Sequence, residues 1–139
     1  MNVPFDPSHD VLRWLQYAKE DLITAQHLSS REDLPPRTAC FLAQQSGEKS
    51  LKALMTLFET PIRRSHKLDE LVDLLPKDSR AKFEDIDIEW LTTWVTAGRY
   101  FGDWPEATKE NAFKAIGIAE SIYELTTEII ELRNCKKNS

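Results

Sequence analysis

PRTACFLAQQSGEKSLKALMTLF, residues 36–58, decides the fold. Pro36 suits the first turn of a helix, and Thr60-Pro61 closes the segment because the residue before a proline is pushed out of helical conformation. Between them Ala39, Leu42, Ala43, Ser46, Gly47, Ser50 and Ala53 recur at helical spacing, with Leu54 and Leu57 closing the stripe. That buried face is built from small residues, which let a neighbouring element approach closely. Gly47 costs ~1 kcal/mol against alanine inside a helix, so its presence signals a close approach.

Outward from this segment the same period repeats. Val11, Leu15, Ala18, Leu22 and Ala25 predict a helix from Ser8 to about Leu28, with Ser8 as N-cap and Asp10 in the first turn. Residues 29–36 read as a connection. A short helix from Ser65 or His66 to Leu75 is stopped by Pro76, and Ser79 to Phe83 makes at most one turn. Trp90, Leu91, Trp94, Val95 and Gly98 predict a helix from about Ile88 to Arg99. An aromatic loop, residues 99–105, leads to a last helix from Pro105 or Glu106 to about Arg133, and then to a polar tail. No comparable stretch alternates with a period of two. The expectation is all-α: an up-and-down antiparallel bundle of four to five helices, one of them short, in a single domain (1–139, core about 8–133).

Composition narrows the function. At 41% hydrophobic and 29% charged residues the chain resembles an ordinary globular domain. Only 4 of 139 residues are glycine, which argues against a glycine-rich phosphate loop. Net charge is -5 and the pI about 5.2, the wrong sign for a dedicated duplex-DNA binder. Cys40 and Cys135 make neither a disulfide framework nor a zinc or redox motif. No stretch is apolar enough for a membrane span, and Met1-Asn2-Val3-Pro4 opens no signal peptide, so a cytoplasmic location is expected.

Several clusters carry possible chemistry. Gln44, Gln45, Glu48, Lys49 and Lys52 form a polar ridge on the central helix, framed by Phe41, Met55 and Phe58, which suggests a second contact surface. Such a surface predicts an isologous homodimer. Arg63, Arg64, His66 and Lys67 are spaced to hold an anion, or else form a solvated linker. Arg99-Tyr100 either ties a loop to Glu48 or projects into a cleft. His9 and His27 read as exposed, and the acidic run Glu84, Asp85, Asp87 and Glu89 lacks the spacing of a calcium loop. No metal site, no cofactor site and no nucleophile elbow is expected.

Taken in order, Trp14-x2-Tyr17-Ala18-x2-Asp21-Leu22-x2-Ala25, then Cys40-Phe41-x-Ala43-Gln44-Gln45-Ser46-x-Glu48-Lys49-x-Leu51-Lys52-Ala53, His66-x-Leu68-x2-Leu71 and Gly98-Arg99-Tyr100 resemble the HEPN domain, the "higher eukaryotes and prokaryotes nucleotide-binding" family. The resemblance runs from about residue 10 to 132. It implies a small helical bundle that pairs as a homodimer. It also implies a neighbouring minimal nucleotidyltransferase, in some cases as a toxin–antitoxin pair. Other members are metal-independent ribonucleases with an Arg-x4-6-His motif. That motif is absent here: Arg63 and Arg64 stand too close to His66, and no histidine follows Arg99. Carried over residue by residue, the resemblance implies nucleotide or single-stranded RNA binding by Lys49, Lys52, His66, Arg99 and Tyr100, with Glu48 as support or inter-helix tie. The rival expectation is a divergent ribonuclease or toxin using His66 or Arg99.

Overall fold

A computed structural model describes residues 7–62, 64–96, 100, 103 and 105–137. Its central element is α2, Pro36–Leu57, entered from an extended Pro35 with proline in the first turn. Against it lies α1, Pro7–Ser29. Ser46 Oγ donates to the carbonyl of Ala18 at 2.8 Å, and Lys52 stands over the ring of Trp14. Moving forward along α2 therefore means moving backward along α1, and the pair is antiparallel. Ala18, Ala25, Ala43 and Ala53 are fully buried, so the small stripe expected on α2 brings the two backbones close.

The third long helix, α6, spans Lys109–Lys137. Gly47 faces Ile122 and Phe58 faces Arg133, so α2 and α6 run parallel. Between them the chain returns through short pieces: α3 (Leu68–Asp73), α4 (Lys77–Ala81), α5 (Ile88–Leu91) and a 3-10 turn at Thr92–Trp94. Up, down, a segmented return and down again is the expected all-α up-and-down bundle. The core is Leu22, Leu51, Leu54, Met55, Leu68, Leu71, Leu91 and Ile122 with their neighbours, each fully buried aliphatic contributing ~1.5–3 kcal/mol. No helix among the described residues is long and apolar enough to cross a membrane.

Ser8, expected as N-cap, lies inside α1, and α6 runs on to Lys137, past the expected end near Arg133. Three further boundaries differ from expectation, each for a local reason. The helix expected from Ile88 to Arg99 stops being α-helical at Leu91, and the backbone is extended by Val95. Thr92 turns its hydroxyl to the backbone N–H of Leu68 at 3.0 Å, holding the start of α3 instead of prolonging its own helix. That same bond explains why α3 begins at Leu68 and not at Ser65 or His66. α6 begins at Lys109, later than Pro105 or Glu106, because Thr108 and Asn111 cap it reciprocally at 2.9 and 3.1 Å.

α2 ends in a left-handed residue that is not glycine. Glu59 has φ 54°, and the Thr60 N–H reaches back to the Met55 carbonyl at 2.8 Å. This is the position where glycine is favoured because it carries no Cβ. Glu59→Gly is expected to raise the unfolding free energy by ~0.5–1 kcal/mol, measured by urea denaturation; an unchanged or lower midpoint would contradict it.

Candidate functional site

Gln44, Glu48 and Lys52 are spaced by four residues along α2, which stacks them on one ridge. The ridge is not a solvated face. Gln44 is fully buried, and the Glu48 side chain is only 6% exposed. Its two carboxylate oxygens are both engaged: Oε2 accepts from Lys52 Nζ at 2.9 Å, and Oε1 lies 2.8 Å from His66 Nδ1. Gln44 Nε2 donates to the backbone carbonyl of His66 at 3.2 Å, and Gln45 Nε2 donates to Gln44 Oε1 at 2.8 Å, which fixes the orientation of the Gln44 amide. The loop that carries His66 is thus held at two points by α2 and, through Leu68, by Thr92.

Burial alone pushes the Glu48 carboxyl upward. The hydrogen bonds from Lys52 and His66, and their charges, outweigh it and hold the carboxyl below the usual glutamate range. At neutral pH Glu48 is therefore an ionised acceptor. The proton of the 2.8 Å contact then belongs to His66 Nδ1, which leaves Nε2 as the ring's other working atom. The His66 side chain is 44% exposed, open enough to meet a ligand.

Lys52 extends the network toward α1. Its Nζ lies 5.7 Å from the centroid of the Trp14 ring, a cation–π contact. Trp14 in turn lines a groove of about 650 Å³ with Arg13, Tyr17, Thr56 and Ile62, and with Asp10 and Glu59 as its carboxylates. Arg13 donates to the Tyr17 hydroxyl at 3.3 Å.

Of the residues expected at the site, Lys52, His66 and Glu48 come together. Lys49 pairs with Asp21 on α1 and does not join the Glu48 network. Tyr100 is 83% exposed. Arg99 lies outside the described residues, so the expected tie between Arg99 and Glu48 falls there too. Both lysines are matched by carboxylates, so a focus of bare cations from Lys49 and Lys52 is not what the fold builds. The expected frame is corrected as well. Met55 is fully buried in the core, and Phe58 lies beneath the Arg133 guanidinium. Within the basic run, His66 and Lys67 part company: Lys67 lies near Glu70 at 3.9 Å while His66 turns to Glu48; Arg63 lies outside the described residues. The acidic run Glu84, Asp85, Asp87 and Glu89 is exposed, with Asp87 paired to Lys114 at 3.3 Å. Sequence reasoning missed Gln44 as the residue that positions His66, and Trp14 as the bridge to the groove. The four-residue step from Gln44 to Glu48 was the available signal for the first.

A family model described as the HEPN domain matches residues 11–130. The chain belongs to the HEPN family. Two solved structures are similar to this HEPN domain. One is ST0689, described as an archaeal HEPN homologue, at 25% identity over 86% of this chain and 97% of that one, with a TM-score of 0.67. The other is TT1696 from Thermus thermophilus, at 25% identity over 85% of this chain and 96% of that one, with a TM-score of 0.65. No curated protein sequence matches the chain at a significant level. Among the described residues of this HEPN domain, no three His, Cys, Asp or Glu side chains group as metal ligands.

Proposed function

We propose that this HEPN domain is a binding module for a nucleotide or short single-stranded RNA, acting as a homodimer and as the partner of a minimal nucleotidyltransferase. The observation that carries the reading is the Glu48–Lys52–His66 network, joined through Lys52 to Trp14 of the groove. Lys52 keeps donors beyond the one given to Glu48, and His66 presents Nε2, so both can meet a phosphate oxygen. Trp14 and Tyr17 offer ring surfaces on which a base can stack. Arg99 and Tyr100 complete the proposed ligand set, and Lys49 could join it only by leaving Asp21. Family membership supports the pairing with a nucleotidyltransferase, in some settings as a toxin–antitoxin couple. Leu12 and Ile23, both exposed and three turns apart on one face of α1, offer apolar surface to a second chain.

Binding is expected to be measurable at low salt and to weaken as salt rises, with little affinity for duplex DNA. Lys52→Glu should lower nucleotide or RNA affinity at least tenfold while circular dichroism stays unchanged, and light scattering on the same sample should give a mass twice 16.1 kDa. A folded dimer that binds neither nucleotide nor RNA at low salt would overturn the reading.

One observation favours a second reading, a divergent metal-independent ribonuclease. The contact of His66 Nδ1 with an ionised Glu48 is how a carboxylate orients an imidazole for general acid–base work at Nε2. RNA cleavage in the presence of a chelator, lost in His66→Ala, would establish it in place of the binding module.

A further inference from the structure

The groove beside Trp14 is lined by a residue that the backbone alone would not choose. Glu59 stands just past the end of α2 at φ 54°, the left-handed region where glycine would be unstrained. Its side chain lines the groove with Asp10, Trp14 and Tyr17, and among the described residues it makes neither a hydrogen bond nor an ion pair. Asp10 differs, since it lies in the field of Arg13 one turn further on α1. Glu59 also borders a smaller cleft of about 190 Å³ that holds Arg133, and no ion pair joins the two. The Glu59 oxygens are therefore left to solvent or to whatever enters the groove.

Position gives the groove a direction. Lys52 Nζ lies 5.7 Å from the Trp14 ring centroid. Glu59 follows Lys52 by seven residues, roughly 10 Å at helical rise, and Asp10 precedes Trp14 by one turn. Because α1 and α2 are antiparallel, both steps lead the same way. A mononucleotide whose phosphate meets Lys52 thus extends its base edge toward the two carboxylates.

We propose, resting on the reading of this groove as a nucleotide site, that the base it takes is guanine and that Glu59 selects it. A carboxylate only accepts hydrogen bonds, so it suits a base edge made of donors. Guanine presents N1–H and the N2 amino group side by side, and one carboxylate can accept from both. Adenine and cytosine set a ring-nitrogen acceptor beside their amino group, and uracil flanks its N–H with two carbonyls. Each of those puts an acceptor against an acceptor.

The test is calorimetric titration of the full chain at low ionic strength with guanosine, inosine and adenosine 5′-monophosphates. The three share sugar and phosphate and differ at the base edge. The guanine nucleotide should bind at least about tenfold more tightly than the adenine one, with inosine, which lacks the N2 amino group, between them. Glu59→Gln should bring the guanine-to-adenine ratio to within about threefold while adenine affinity holds. Glu59→Gly should also lose the preference and yet unfold at higher urea, which a variant that merely damages the fold would not do. Lys52→Glu should weaken all three nucleotides and leave their ratio unchanged. Two short single strands that differ only by one guanine in place of an adenine repeat the comparison for RNA; a guanine preference there, with the mononucleotides unbound, assigns the base to a strand. Equal affinity for guanine and adenine, or a preference that survives in both Glu59 variants, overturns the proposal and leaves nucleotide binding standing. Failure of every nucleotide and strand to bind overturns both.

Discussion

Replacing Glu48 by alanine should lower the unfolding free energy by about 3 kcal/mol at neutral pH, because the change leaves a largely buried ammonium and the half-exposed His66 ring without their acceptor. Lys52 is only 14% exposed, so its ammonium is left largely desolvated, and the His66 Nδ1 loses the contact that seats its loop. Removing both charges should behave differently. A Glu48→Leu, Lys52→Leu pair is expected to recover most of the loss, since well-packed apolar replacements of a buried ion pair are close to neutral. The double variant also separates stability from function: it should remain folded yet lose nucleotide or RNA binding. If it binds as the parent does, the ion pair is only a structural tie. The pH dependence has a defined sign. Glu48 has a depressed pKa in the folded state, so its stabilisation is complete above the unfolded glutamate pKa of about 4.3 and disappears as pH falls through the folded value. The stability gap between the parent and Glu48→Gln should therefore be full near pH 7 and close below about pH 4. A gap that persists unchanged into acid would show that the carboxylate charge contributes nothing.

The three long helices were legible because each carries an unbroken apolar stripe at helical spacing, bounded by prolines or polar runs. Gly47 was legible for a different reason: a glycine inside so regular a helix has to be explained by a neighbour. The return limb was not legible in the same way. Trp90, Leu91, Trp94 and Val95 fit a helical pattern, but Thr92 is drawn off to bond Leu68, twenty-four residues earlier in the chain, and the pattern cannot report a bond of that range. The site divides similarly. Glu48 and Lys52 are neighbours on one helix, so their pairing could be read from spacing. That Gln44 is buried and grips the His66 backbone depends on where the loop lands, which only the packing of α3 decides. Lys49 was misplaced for the same reason, since its partner Asp21 belongs to α1 and not to the ridge. Arg133 drew no notice at the end of a polar helix, and only its burial beside Phe58 sets it apart.

The packing that sets His66 also makes Gly47 the position least able to change. A Cβ added there would sit 3.2 Å from Leu91 Cδ2, 3.3 Å from Ile122 Cδ1 and 3.4 Å from Leu68 Cδ1. Each of those atoms is the end of a flexible side chain, so a single methyl asks for shifts of only a few tenths of an ångström. Gly47→Ala should accordingly lie near neutral, with ~1 kcal/mol of helix propensity set against the crowding. Gly47→Leu adds a branched side chain where α2, α3, α5 and α6 converge, and should cost more than about 3 kcal/mol, which chemical denaturation would register. The loss should not be confined to the core. Leu68 is the first residue of α3, two positions after His66, and pushing it outward draws the imidazole away from Glu48. The variant, to the extent that it folds, should lose the His66 Nδ1–H signal that the carboxylate protects from exchange. Should Gly47→Leu keep both its stability and that signal, the His66 loop would be held by its hydrogen bonds to Gln44, Glu48 and Thr92 alone, and the close approach at Gly47 would have no part in building the site.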